Sequence, residues 1–259
     1  MDAAELLAAY DSQLRDHVPA RLPEGVSLER DGPLLRLAGF AYGGFVLYGD
    51  LGVDGEELDA LIARQVAFFR ARGEEFEWKL HGHDRPADLP ERLLRAGFVA
   101  EERETVLVAP LDAIPLDAAP PPEVVVREVS DRGDLDRIDL LEHAVWGRDS
   151  ALVDDLEREL AADPGALVVY IAEVGHEVVC AGWIRFPAGT EFATLWGGST
   201  LPAWRRRGIY RSLVAVRARL AAARGVRYLQ VDASEESRPI LERLGFVAVT
   251  TTTPYVWTP

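Results

Sequence analysis

Three arginines in a row, Arg205-Arg206-Arg207, stand directly before Gly208 and a segment in which Leu213, Val214, Val216, Leu220 and Ala221 recur at helical spacing. That order of residue types suits an anion. The first turn of a helix has N–H groups without intrahelical acceptors and carries the positive end of the helix dipole, so phosphate oxygens find donors there. Glycine lets the backbone come close, and guanidinium groups add charge at the rim of a pyrophosphate without needing burial. Just upstream, Gly197-Gly198 ends the β-rich run EFATLWGG, which predicts a bulge or a close approach of the backbone by another group.

Two further clusters carry reactive residue types and read as structural. Cys180, the single cysteine, lies in the apolar run EVVCAGWI, which predicts a buried thiol and leaves no partner for a disulfide. His81-Gly82-His83-Asp84 sets two imidazoles beside a carboxylate, yet no further ligand is identifiable near it, so no metal is expected. Trp196 and Trp204 flank the arginine loop and are expected to pack.

Forty-three acidic residues against 28 basic ones give a net charge of −15, a field that repels nucleic acid and anionic membrane and mildly favours a cationic substrate. Transfer of aminoacyl groups from tRNA is disfavoured on the same ground, since tRNA affinity needs many phosphate contacts. The acidic N-terminus lacks the basic start of a signal peptide, and no apolar run approaches the roughly 18 residues of a membrane span. A cytoplasmic chain, monomeric or homodimeric, with no membrane or nucleic-acid partner is expected.

The elements that position these residues fall into two tandem sets. AIPLDAAPPP, residues 113–122, reads as a proline-rich extended linker between a first domain, 1–112, and a second, 123–259. The stretches from Ala71 (ARGEEFEWKLH…) and from Ala223 (ARGVRYLQVDA…) share one order: helix end, strand, loop, short helix ending in Gly-Phe, strand. In the second half the pattern predicts strand, helix, helix, then a hairpin through Gly175-His176 and a third strand ending at the glycine pair. The arginine loop and its helix follow, then the strand VRYLQVDA, a short helix and two closing strands.

With these residues in place the second half resembles the GCN5-related N-acetyltransferases (GNAT), whose pyrophosphate loop reads Arg/Gln-x-x-Gly-x-Gly/Ala between the fourth strand and third helix. Arg205-Arg206-Arg207-Gly208-Ile209-Tyr210 matches its first four positions, and Tyr210 stands where the family has Gly or Ala. STLPAWRRRG resembles the family's Val-x-Pro-x-x-Arg-x-x-Gly, and RPILERLGF resembles its short fourth helix, with Leu241 in place of the usual tyrosine. The resemblance covers about 135 residues of the second half and the last 60 or so of the first. It implies an α/β (α+β) fold of two GNAT-like domains, each a mixed, mostly antiparallel sheet flanked by helices.

The resemblance further implies acetyl-coenzyme A as acetyl donor, without a metal. Gly198, Ser199 and Thr200 would pair with the pantetheine, and Arg205, Arg206, Arg207, Gly208, Ile209, Tyr210 and Arg211 would hold the pyrophosphate. A primary amine of a small molecule or peptide would attack the thioester directly. Asp232 and Glu142 are the candidate bases acting through water, Ser237 or Tyr255 a replacement for the missing acid, and Trp146 a wall of the substrate pocket. The alternative is a non-catalytic acyl-coenzyme A binder, regulatory or scaffolding, of the same fold. Shifted by 152 positions, Val53-Asp54-Gly55-Glu56-Glu57-Leu58 falls opposite Arg205 to Tyr210, so acids replace bases. The first half is therefore expected to keep the fold without a cofactor site.

Overall fold

Strands buried on both faces read as continuous apolar runs, and Val106-Leu107-Val108-Ala109 is such a run, with every one of the four fully buried. It lies at the middle of the molecule. The computed structural model describes residues 1–147 and 151–259. The first half contains α1 (Ala3–Gln13), β1 (Ser27–Asp31), β2 (Leu34–Ala38), β3 (Gly44–Leu47), α2 (Gly55–Arg72), β4 (Phe76–His81), α3 (Leu89–Arg95), β5 (Val99–Ala100) and β6 (Glu104–Pro110). The second contains β7 (Val125–Glu128), α4 (Arg132–Trp146), α5 (Leu152–Ala162), β8 (Leu167–Val174), β9 (Glu177–Arg185), β10 (Phe192–Thr200), α6 (Ile209–Ala223), β11 (Tyr228–Ala233), α7 (Arg238–Arg243) and β12 (Val247–Trp257).

Among the described residues all twelve strands join one sheet, in the order β1-β2-β3-β4-β12-β6-β11-β10-β9-β8-β7, with β5 paired to β12. Only β3/β4 and β10/β11 run parallel; the other pairs are antiparallel. The halves thus exchange their last strands. β12 of the second half lies between β4 and β6, with Tyr255 opposite Trp78, and β6 of the first half lies between β12 and β11, with Val106 opposite Asp232. The two closing strands expected at the C-terminus are one eleven-residue strand with a register shift between Ala248 and Thr250.

Helices α2 and α3 cover one face of the sheet at the first half, where Leu58, Leu61, Ile62 and Leu93 pack on Val46 and Trp78. On the same face of the second half α6 and α7 pack Val214, Ala218 and Leu241 on Leu229 and Val231. The opposite face carries α1, whose Leu6 and Tyr10 lie on Val106 and Val108, and α4 with α5, whose Leu135, Ile138 and Leu156 lie on Val169 and Trp183. Between α1 and α5 that face stays open.

Candidate functional site

The parallel pairing of β10 with β11 covers only Phe192–Thr194 against Tyr228–Gln230, after which β10 continues to Thr200 and β11 to Ala233 without contact in register. The sheet splits there. β10 also bulges against β9 between Gly197 and Thr200. Both glycines have left-handed φ, 68° and 109°. A Cβ on Gly197 would meet the Trp183 ring at 2.4 Å, and one on Gly198 the Tyr210 ring at 2.6 Å. Gly198 therefore makes the room in which the large Tyr210 side chain sits.

Beyond the split the chain turns through Pro202–Trp204 into the arginine loop. Arg205 braces it by donating Nε–H to the Thr200 carbonyl at 3.1 Å, Arg206 takes a left-handed φ of 61°, and Gly208 one of 82°. The first backbone bond of α6 runs from Ser212 N–H to the Gly208 carbonyl at 3.0 Å. Among the described residues the N–H groups of Gly208, Ile209, Tyr210 and Arg211 have no acceptor, and the first turn contains no acid. Arg206 and Arg211 are exposed, and the half-exposed Arg205 and Arg207 meet their nearest carboxylates, Glu236 and Glu123, only at 3.9 and 4.0 Å. Ile209 is buried and Tyr210 packs on the core, so these two offer the loop their backbone alone. Four free donors beside loosely held guanidiniums form a fitting cradle for a pyrophosphate, and the unpaired edges beyond Thr194 and Gln230 suit an extended amide-bearing chain.

A cavity of about 490 Å³ opens on the other face of the split, lined by both halves. Asp232 stands in it, accepting from Lys79 Nζ at 2.9 Å and from Gln230 Nε2 at 2.8 Å. Glu77 lies 4.0 Å from the same ammonium. Burial pushes the Glu104 carboxyl up to about 7, with Asp232, Glu77 and Glu101 adding to the rise and Lys79 opposing it. Burial likewise raises Glu77. For Lys79 burial is the largest influence and acts downward, but the carboxylates Asp232, Glu77 and Glu104 together hold its ammonium well above the usual lysine range. The cavity lining therefore sets Glu77 and Asp232 beside one ammonium, on which Glu104 acts from outside the lining, and this balance favours a second cation.

The other sequence-derived candidates are dispersed. Trp146, 60% exposed at the end of α4, donates its indole N–H to Ser199 Oγ at 3.0 Å, which places it at the β10 bulge, and Glu142 lies one turn earlier on the same helix. Thr200 is buried, its hydroxyl donating to Cys180 Sγ at 3.1 Å, and burial pushes that thiol up to about 11. Ser237 occupies the position before α7 without a side-chain capping bond, within hydrogen-bond reach of Ser234 Oγ at 3.2 Å. Tyr255 is not brought to this group: the strand exchange carries it into the core of the first half beside Trp78 and Phe98. Leu241 is fully buried among Leu229, Val231 and Phe246, on the face of the sheet away from the cavity.

His81 and Asp84 form a structural knot. Asp84 accepts from Arg15 and the Tyr48 hydroxyl at 2.6 Å each and from the His81 N–H at 2.7 Å, while His81 Nε2 lies 2.9 Å from the Tyr10 hydroxyl. Burial and nearby cations push the His81 imidazole far below its usual value. In the first half, α2 starts two residues earlier than the 152-residue offset places it, with Asp54 at the cap and Glu56 and Glu57 in its first turn.

Sequence reasoning missed Glu77, Lys79 and Glu104, which come from the other half and touch the site only through the exchanged strands. The alternation Glu77, Lys79, His81 on a strand whose other residues are apolar was the available signal. It also missed Arg217. That guanidinium is 1% exposed, donating to the carbonyls of Leu213, Trp183 and Trp196 at 3.0–3.2 Å, and so ties α6 to β9 and to β10 at the split.

Residues 135–246 match the family described as "Acetyltransferase (GNAT) family". By sequence the chain matches none of the curated proteins. Among solved structures it is similar to a GCN5-related N-acetyltransferase from Kribbella flavida (15% identity, 99% of this chain and 95% of that one, TM-score 0.69). Similar too are a tandem GNAT protein from the clavulanic acid biosynthesis pathway (13%, 100% and 97%, 0.62) and a GCN5-related N-acetyltransferase from Sphaerobacter thermophilus (14%, 90% and 82%, 0.61). At these identities the likeness is one of fold.

Proposed function

We propose that the chain moves an acetyl group from acetyl-coenzyme A to a primary amine, a reading supported by the match of residues 135–246 to the acetyltransferase (GNAT) family and by the fold the chain shares with a tandem GNAT protein. The split between β10 and β11 carries this reading, because it joins the anion cradle at α6 to the acid-lined cavity on the opposite face. Residues 123–259 then contain the cofactor site, and residues 1–112 supply one wall of the acceptor cavity and no cofactor site of their own.

The N–H groups of Gly208 to Arg211, with Arg205 and Arg207 at the rim, would hold the pyrophosphate, and the edge of β10 through Gly198 and Ser199 would orient the pantetheine. Bound there, acetyl-coenzyme A supplies the acetyl group as a thioester. An amine reaches the cavity as an ammonium and has to lose a proton before it becomes a nucleophile. Asp232, held by Lys79 and Gln230, takes that proton through water, while Glu77 in the cavity lining holds the ammonium near it. Arg217 fixes the Trp196 carbonyl and with it the course of β10 at the split.

Thiol release from acetyl-coenzyme A in the presence of amines tests the reading. Asp232→Asn is expected to lower kcat by about 100-fold or more and to leave the calorimetric affinity for acetyl-coenzyme A unchanged. Binding of acetyl-coenzyme A without amine-dependent thiol release by the wild-type chain would establish the non-catalytic alternative instead.

A further inference from the structure

The cavity wall beside Glu77 is aromatic, and the first half supplies it, with Phe45 in register with Glu77 on the neighbouring strand. Phe45 on β3 stacks on Phe40 with centroids 5.3 Å apart, and Phe40 stacks on Tyr42, again at 5.3 Å. This wall is fixed to the second half: the buried Asp155 of α5 accepts from the N–H groups of Ala41 and Tyr42 at 3.1 Å each. Across the space stands Trp196. Its indole N–H is used on Thr194 Oγ1 at 2.7 Å, and Arg185 at 4.8 Å and Lys79 Nζ at 5.9 Å lie over the ring, yet Trp196 lines the cavity and remains 41% exposed.

The charges of the cavity are divided unevenly along it. Arg185 is neutralised by a two-pronged bond to Glu159, 2.8 Å on each prong, and Arg15 by Asp84 at 2.6 Å. Near the split, the lining carboxylates Glu77 and Asp232 outnumber Lys79. One end therefore attracts a cation, while the remainder offers flat apolar surface, the paired Arg15 and Arg185, and Arg21, a guanidinium with no carboxylate partner among the described residues. A second positive charge on a ligand would meet the unpaired Arg21 and find the carboxylates Glu159 and Asp84 already taken by Arg185 and Arg15, and a ring of hydroxyls would lie against Phe45 and Phe40 without partners.

We propose that the acceptor is a monocationic primary amine with a planar apolar body, its ammonium at Glu77 and Asp232 and its body between Phe45 and Trp196. The class follows from residues of both halves, which makes the first half the specificity wall of the enzyme. It rests on the acetyl-transfer reading given above.

The test uses the full chain and three probe amines, 2-phenylethylamine, spermidine and glucosamine, each measured by calorimetric binding and by thiol release from acetyl-coenzyme A. Phenylethylamine is expected to bind at least about tenfold more tightly than either of the others, the equivalent of one good charged contact plus stacking. Glu77→Gln and Phe45→Leu should each weaken it by about tenfold with acetyl-coenzyme A affinity retained, which also reports that the variants are folded. Tighter binding of spermidine or glucosamine, or binding of none of the three, overturns the amine class. Preferred thiol release with glucosamine or spermidine overturns it too and leaves acetyl transfer standing. Binding of phenylethylamine without thiol release keeps the amine class and overturns acetyl transfer.

Discussion

Lys79 Nζ lies 2.9 Å from Asp232 Oδ2, a bond between residues 153 positions apart that ties β4 of the first half to β11 of the second. Two strands, β12 and β6, separate β4 from β11 in the sheet. The contact is possible because a long twisted sheet curls, so that side chains on its concave face converge. The ammonium consequently sets the charge of the cavity between Glu77 of β4 and Asp232 of β11, and acts on Glu104 of β6.

Lys79→Met should expose that control. Lys79 lowers the Glu104 carboxyl, and without it Glu104 would protonate at higher pH than its present value of about 7. The acid limb of kcat/KM against pH is expected to move up by about 1 unit. A limb that stays in place would show that the carboxylate cluster takes no part in handling the acceptor's proton.

Glu104→Gln should stabilise the fold at alkaline pH. The folded carboxyl is raised from 4.5 to about 7, so between those values the folded state holds a proton that the unfolded chain has released. Stability therefore falls as pH rises through that window, and the penalty is complete above it. Each unit corresponds to about 1.4 kcal/mol, and after a discount for solvent in the open cavity the variant should gain about 2 kcal/mol at pH 8 and nothing near pH 4. Urea midpoints at the two pH values decide it; equal shifts at both would remove the charge as the cause.

Gly208→Glu is expected to abolish coenzyme A binding, and the wild-type chain to bind one coenzyme A. The glutamate would sit at φ 82°, costing about 1 kcal/mol of strain, and would set a negative charge beside the free N–H groups of α6. Helix α2 already carries Asp54, Glu56 and Glu57 at its start. At an effective dielectric near 20 a carboxylate about 4 Å from a phosphate opposes binding by roughly 4 kcal/mol before screening, against a helix-end contribution of about 1 kcal/mol. Calorimetry reads both affinity and stoichiometry, and two coenzyme A molecules per chain would refute the assignment.

What the residues disclosed in advance was local. Turn chemistry and periodicity placed Gly175-His176 as the two-residue link between β8 and β9, and the glycine after the arginines marked the start of α6. Chain-distant pairing left no such trace: nothing in TVLVAP says that its neighbours are β11 and β12, only that both its faces are covered. Tyr255 was misplaced relative to the site for that reason, and Lys79 was overlooked for it. Periodicity also put Val216 on the buried face of α6, where Arg217 is the more deeply buried residue, because three carbonyls satisfy a charge that hydropathy alone assigns to solvent. At Leu241 a tyrosine would overpack a fully buried position, so restoring the family's residue there is expected to destabilise the chain by about 1–3 kcal/mol.

The strand exchange also predicts that neither half is self-sufficient. Residues 120–259 expressed alone would retain β7 to β11 but lose β6, leaving the hydrogen-bonding edge of β11 from Tyr228 to Ala233 open. β12 would lose every partner it has, since β4, β5 and β6 all belong to the first half. Tyr255 and Trp257, buried against Trp78 and Phe76, would become exposed. Unpaired strand edges and a large uncovered apolar face drive aggregation. The fragment should therefore be insoluble or devoid of amine-dependent thiol release, and adding residues 1–112 in trans should restore a soluble, active pair, because the missing strand and the wall with Glu77 and Lys79 arrive together. A soluble, fully active 120–259 fragment would contradict the shared core.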